Sequence, residues 1–199
     1  MSRTRTWQLD PAHSTIEFAV KHMMFTTVRG RFKSFRGTVQ VDEQNPNNSR
    51  AEVTIDAASL DTGVADRDAH LRTAEFLDVE QYPNITFRST RVEGAHREEG
   101  DRFRVTGNLE IRGNAIPVTL EASFEGVGKD PWGKQRAGFT ARTEIDRREW
   151  GLRWNQTLET GGILVGNTVK IEVEVQAVAL EDDAEMAGAA SSSSGNTNA

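Results

Sequence analysis

The chain has 199 residues, 36% of them hydrophobic, a net charge of −6 and no cysteine. That length suits one domain with a substantial core, and the lack of thiols excludes disulfides, thiolate nucleophiles and cysteine metal sites. No apolar run of about eighteen residues exists to span a membrane as a helix, and four of the acidic residues fall in 181–199, which leaves −2 on residues 1–180 and no basic tract for a nucleic acid.

Arg3 and Arg5 near the start are followed by no apolar segment of signal type, so the cytoplasm is the expected location. A short strand is expected around Trp7 and Leu9. A long one places Ile16, Phe18 and Val20 on one face and Glu17, Ala19 and Lys21 on the other. Residues 22–32 read as an apolar connection carrying Met23, Met24, Phe25, Val28 and Phe32. Alternation resumes with Phe35, Gly37, Val39 and Val41, and again with Ala51, Val53, Ile55 and Ala57. The stretch from Asp66 to Phe76 breaks it. It holds Ala69, Leu71, Arg72 and Ala74 behind a capping Asp66, and is the one helix expected.

Ile85, Phe87 and Ser89 open the next strand, with Arg91 beyond them on the same face, near a strand end. The clearest strand then sets Phe103, Val105, Gly107, Leu109 and Ile111 against six polar neighbours. Gly113-Asn114 reads as a two-residue hairpin turn before Ile116, Val118, Leu120, Ala122 and Phe124. The last two strands show Ala137, Phe139, Ala141, Thr143 and Ile145, then Val169, Ile171, Val173, Val175 and Ala177. Between them, residues 147–166 carry Trp150, Leu152, Trp154, Leu158 and Ile163 among four glycines. Residues 181–199 are acidic and then serine-rich, a composition expected to be disordered.

The pattern predicts one all-β domain over residues 1–180, wet outside and apolar inside, with one short helix between strands; eight antiparallel strands of this kind close into a barrel or split into a sandwich. Such a barrel either fills itself with side chains or holds one small ligand. Small inward residues (Gly37, Ala51, Ala57, Ser89, Gly107, Ala122, Ala137, Ala141, Thr143 and Ala177) leave room for a cavity. A taper in which small residues face large ones is the competing reading. The apolar connections at 22–32 and 147–166 suit lids over a ligand or plugs of the barrel ends.

Catalytic and metal chemistry find little support. His13 and His22 flank one strand about 30 Å apart if it is continuous, too far to share an ion. His13 and Ser14 point to opposite faces, so they form no nucleophile–base pair. Gly161-Gly162-Ile163-Leu164-Val165-Gly166 lacks the Lys-Ser/Thr of a phosphate loop.

Several blocks resemble the YceI-like family of bacterial polyisoprenoid-binding proteins with a lipocalin-like barrel. They are Leu9-Asp10-Pro11-Ala12-His13-Ser14-Thr15-Ile16-Glu17-Phe18, Lys21-His22-Met23-Met24 with Val28-Arg29-Gly30-Arg31-Phe32, and Asp66-Arg67-Asp68-Ala69-His70-Leu71 running on to Tyr82-Pro83-Asn84-Ile85-Thr86-Phe87. Leu109-Glu110-Ile111-Arg112-Gly113 with Pro117-Val118, and Arg148-Glu149-Trp150-Gly151-Leu152 with Val165-Gly166, complete the set. The resemblance implies an extended, eight-stranded antiparallel barrel around an elongated apolar cavity that binds a long isoprenoid chain, such as a polyprenyl lipid or a quinone tail. A lipid-binding protein that is not an enzyme, with no further cofactor and no metal, is the expectation. Many members carry a secretory signal, whereas this chain starts directly at the barrel.

The expected cavity wall comprises Phe18, Val20, Met24, Phe32, Phe35, Val39, Phe87, Gly107, Leu109, Phe139, Ala141, Trp150 and Trp154. Arg67, His70 and Arg91 are the candidates for a polar head group, with capping and surface ion pairs as their plainer reading. The partner expected is the lipid itself, with transient membrane contact and a homodimer as further options. An enzyme acting on the bound lipid through His70 with Asp66 or Asp68, and a filled barrel serving as an interaction module, are the alternatives.

Overall fold

The structure, a computed structural model, describes residues 4–96 and 98–180, so the acidic, serine-rich tail expected to be disordered lies outside the described residues. Its strands are β1 (Thr4–Leu9), β2 (Thr15–His22), β3 (Thr26–Phe32), β4 (Phe35–Asp42), β5 (Arg50–Asp56), β6 (Leu60–Asp61), β7 (Asn84–Glu93), β8 (Arg102–Ile111), β9 (Asn114–Lys129), β10 (Gln135–Asp146) and β11 (Val165–Ala179). One helix, α1 (Ala65–Arg72), lies between β6 and β7.

These segments make eight staves of a closed antiparallel barrel. β1 and β2 both pair with β11, Trp7–Leu9 on one part of its edge and Thr15–Val20 on the next. β3 pairs with β2 and β6, and β4 with β1 and β5. Thus β1–β2, β3–β4 and β5–β6 are each one long strand with a break. The breaks are short and capped. Asp10 Oδ1 accepts from Ala12 N–H at 3.1 Å, Asp56 Oδ1 from Ala58 N–H at 3.0 Å, and Ser59 Oγ from Ser34 N–H at 3.0 Å. Such side chain–backbone bonds satisfy donors that the interrupted ladder leaves over. The remaining staves follow in chain order, β7 to β11, and β11 closes on β1.

An up-and-down barrel gathers its connections at two ends. The 43–49, 94–101 and 130–134 connections lie at one end, with the start of β1 and the finish of β11. The 23–25, 62–83, 112–113 and 147–164 connections lie at the other, with α1.

Four expectations need correction. Residues 26–32 are a strand, not a connection. Gly30 hid it, because the inward series Val28, Gly30, Phe32 has a gap that the Phe18 ring of the neighbouring strand covers. The turn after β8 is Arg112-Gly113, both at positive φ, and Asn114 already pairs with Ile111. The helix is shorter than 66–76 and Asp66 does not cap it. Val64 holds the cap position, while Asp68 accepts from the Thr62 N–H at 2.9 Å and the Thr62 hydroxyl. A bulge between Ser89 and Arg91 inserts one residue into β7 and reverses the side-chain phase. Val92, 7% exposed, takes the inward place, and Arg91 faces solvent beside Glu93 at 3.4 Å.

Candidate functional site

A cavity of about 610 Å³ runs along the barrel axis. Its wall is the inner face of every stave, and the inward residues show that it is open space. Val169, Ile171, Val173 and Val175 of β11 are half-buried, whereas the outward Thr168, Lys170, Glu172 and Glu174 are exposed. A filled barrel would have buried the first set completely.

The α1 end is sealed. Trp150, fully buried, ends a 3-10 turn (Arg147–Trp150) that crosses this end. Its indole N–H donates to the Leu109 carbonyl at 2.9 Å, and Asn114 Nδ2 donates to the Trp150 carbonyl at 3.3 Å. Leu60, Phe76 and Leu152 are each at most 9% exposed and line the same end. α1 is held there by arginines. Arg67 donates to the Thr62 hydroxyl at 2.7 Å and the Thr62 carbonyl at 2.9 Å, and Arg72 to the Ala58 and Leu60 carbonyls at 2.9 and 2.6 Å. Arg147, only 3% exposed, reaches the cavity wall and donates to the Gly166 carbonyl at 2.9 Å and the Leu152 carbonyl at 2.5 Å. Burial pushes its guanidinium pKa down from the ordinary value.

The opposite end is a polar rim. Arg5, Glu43, Ser49, Arg50, His96 and Gln135 border the cavity there. Arg5 Nη1 donates to Gln135 Oε1 at 2.5 Å, its Nε lies 3.9 Å from a Glu43 oxygen, and its guanidinium stacks 5.9 Å from the Trp7 ring centre. An apolar bore with a sealed base and a polar rim suits a chain-like ligand with one polar terminus.

Of the expected wall residues, Phe18, Val20, Phe32, Val39, Phe87, Leu109, Phe139 and Ala141 lie on the cavity. The others lie elsewhere. Met24 is 62% exposed at the tip of the β2–β3 turn. Phe35 is buried in the hydrophobic core without lining the cavity, and Trp150 plugs the base. Gly107 does not border open space: a Cβ there would stand 2.5 Å from both Phe87 Cζ and the Arg88 carbonyl oxygen. Trp154 packs outside the base, with its ring centre 4.7 Å from His70 and 5.3 Å from Phe76.

The expected polar candidates are likewise off the cavity. Arg67 anchors α1, His70 contacts Glu75 at 2.5 Å on the outer side of the base, and Arg91 sits on the outer wall. The rim residues replace them as the polar groups at the mouth. They come from separate segments of the chain, so no local motif announces them. Only their place at the ends of alternating stretches gives a signal.

On the outer wall, Arg136 bridges Asp10 at 2.6 Å and Asp130 at 2.9 Å. The hydrogen bond from Arg136, then that of His13, holds the Asp10 carboxyl below its ordinary pKa. Asp146 is held down to about 2, chiefly by its hydrogen bonds from Arg148. Among the described residues no group of three or more histidine or carboxylate side chains gathers to hold a metal ion. No helix among them is long and apolar enough to cross a membrane.

The YceI-like domain model matches residues 7–177, nearly the whole barrel. Protein YceI of Salmonella newport is 44% identical over 140 residues, covering 70% of this chain and 71% of that protein. Among solved structures, Burkholderia cenocepacia BcnA superimposes with a TM-score of 0.72 at 26% identity, covering 84% of this chain and 98% of its own. The Campylobacter jejuni YCEI protein gives 0.68 at 28% identity over 81% and 90%. A polyisoprenoid binding domain from Saccharophagus degradans shares the fold, with a TM-score of 0.62 and 15% identity over 87% and 98%. With the matched domain, the relatives and the closed barrel in agreement, the chain belongs to the YceI-like family.

Proposed function

We propose that this protein holds one long isoprenoid or quinone-type lipid in the barrel and shields it from water without altering it chemically. The tail fills the bore toward Trp150, and the polar terminus lies at the rim among Arg5, Arg50, His96 and Gln135. The observation that carries this reading is the length of the cavity, which is continuous from the rim to the plugged base and walled by apolar side chains. Each methylene removed from water contributes about 0.8 kcal/mol, so a long tail binds tightly without specific contacts. The fold shared with a polyisoprenoid binding domain accords with this cargo.

What favours carriage over catalysis is position: His70, Asp66 and Asp68, the residues considered for catalysis, do not line the cavity. Asp68 is engaged by Thr62, and His70 by Glu75 and two aromatic rings. Mass spectrometry of an organic extract of the purified protein tests the reading. Recovery of a long apolar molecule, unchanged on prolonged incubation, is expected. A clean extract, with no thermal protection from added quinone or polyprenol, contradicts it.

A further inference from the structure

The hairpin joining β9 to β10 presents Trp132 with 82% of its surface exposed. Exposed indoles are unusual, and this one is held out by a rigid turn. Asp130 Oδ1 accepts from the Trp132 and Lys134 N–H groups at 3.0 and 2.9 Å, and its Oδ2 accepts from Arg136 Nε at 2.9 Å. Asp130 N–H donates to the Lys134 carbonyl, Gly133 N–H to the Asp130 carbonyl, and Arg136 reaches on to Asp10. The Asp130 side chain is only 6% exposed, so its charge is turned inward and matched by Arg136. The tip therefore shows solvent an indole flanked by the exposed Lys129 and Lys134.

This tip stands at the rim. Val127 and Gln135, on the two strands of the same hairpin, border the cavity, and Val127 is itself 56% exposed. Leu180, 43% exposed and hydrogen-bonded to the Thr6 carbonyl, lies at the same end. Glu98, Glu99 and Asp101 are acidic neighbours on the adjoining connection, and Arg5, Glu43 and Arg50 border the mouth, so the rim carries mixed charge while the hairpin tip itself is basic.

We infer that this hairpin docks the barrel mouth onto a lipid bilayer surface, with Trp132 immersed at the headgroup level and Lys129 and Lys134 facing lipid phosphates. The inference rests on the lipid-carrier reading above. An amphipathic ring beside cations is the chemistry that settles at a membrane interface. Docking there lets a water-insoluble tail pass between bilayer and bore without crossing water, a transfer that would otherwise cost about 0.8 kcal/mol per exposed methylene.

Fluorescence reads the docking directly, because Trp7 and Trp150 are buried and Trp154 is half-buried, which leaves Trp132 as the solvent-facing emitter. The probes are phosphatidylcholine vesicles with and without an anionic lipid, doped with a headgroup-level nitroxide lipid. The wild type is expected to shift to shorter wavelength and to be quenched, and Trp132→Phe to lose that quenching. Trp132→Ser is expected to weaken vesicle binding by about tenfold or more, the scale set by immersing part of an indole, and to slow transfer of a quinone out of vesicles. Uptake of the same quinone from detergent dispersion is expected to be unchanged by Trp132→Ser. Failure of uptake from detergent in the wild type contradicts the carrier reading, while the quenching still reports on docking. Unquenched emission with vesicles, or equal transfer by Trp132→Ser, overturns the docking. So does a concentration-dependent blue shift without vesicles, which assigns the surface to a second copy of the chain.

Discussion

Ala141 offers the sharpest test of the open bore. It lies on β10 between Ala122 of β9 and Val173 of β11, and all three border the cavity. Ala141→Phe introduces a six-carbon ring into that space. Displacing about six chain carbons at ~0.8 kcal/mol each removes up to ~5 kcal/mol of ligand binding. If the chain recovers half of that by bending aside, a loss of roughly 2–3 kcal/mol remains, about a hundredfold in Kd. The lipid-free protein has room for the ring, so its melting temperature is expected to stay level or rise. Gly107→Phe is the internal contrast. Phe87 and the Arg88 carbonyl already occupy the space beside Gly107, so this change overpacks the wall and destabilises the lipid-free protein by ~1–3 kcal/mol or more. Thermal unfolding of delipidated samples, followed by titration with a polyprenyl quinone, gives both quantities. If Ala141→Phe destabilises the lipid-free barrel as much as Gly107→Phe does, or binds the quinone like wild type, the reasoning fails.

Trp150→Phe removes the buried indole N–H bond to the Leu109 carbonyl, and a loss of ~0.5–1.5 kcal/mol in urea unfolding is expected. The Asp10 and Asp146 carboxyls have pKa values lowered in the folded state, so their stabilisation is complete above the unfolded value of 3.8 and is lost as pH falls through their lower folded values, about 2 for Asp146. Stability measured from pH 5 downward should fall over that window, and less steeply in Arg136→Met, which lacks the group that most strongly holds Asp10 down. His70→Asn should leave quinone affinity unchanged. Arg5→Met, at the rim, should reduce the preference for a quinone over a plain hydrocarbon of equal length by about fivefold, the worth of one hydrogen bond. Equal preferences in the two variants would move the polar terminus away from the rim.

The barrel was legible because alternation is a local signal: β8 and β9 each write their inward face in five consecutive odd or even positions. The signal failed where a glycine or an extra residue interrupted it. Gly30 erased β3, and the bulge after Ser89 turned Arg91 outward against its apparent phase. Half-legible were the small inward residues, since size does not say what covers them. Ala141 borders open space, while Gly107 and Gly30 lie beneath the rings of Phe87 and Phe18. The mouth was not legible at all. Its polar residues meet only when β1, the 43–50 segment, the 94–101 connection and β10 close into one ring. The eye-catching Arg67-Asp68-His70 motif serves instead to fasten the sealed base.

The most direct test of a bore continuous from rim to base is a series of quinones differing only in isoprenoid tail length, titrated into delipidated protein by calorimetry. The structure predicts that affinity climbs with each five-carbon unit, by as much as ~4 kcal/mol at about 0.8 kcal/mol per carbon, until the tail reaches the plug formed by Trp150 and Leu152, and then levels off. An affinity indifferent to tail length from the shortest member onward would contradict it.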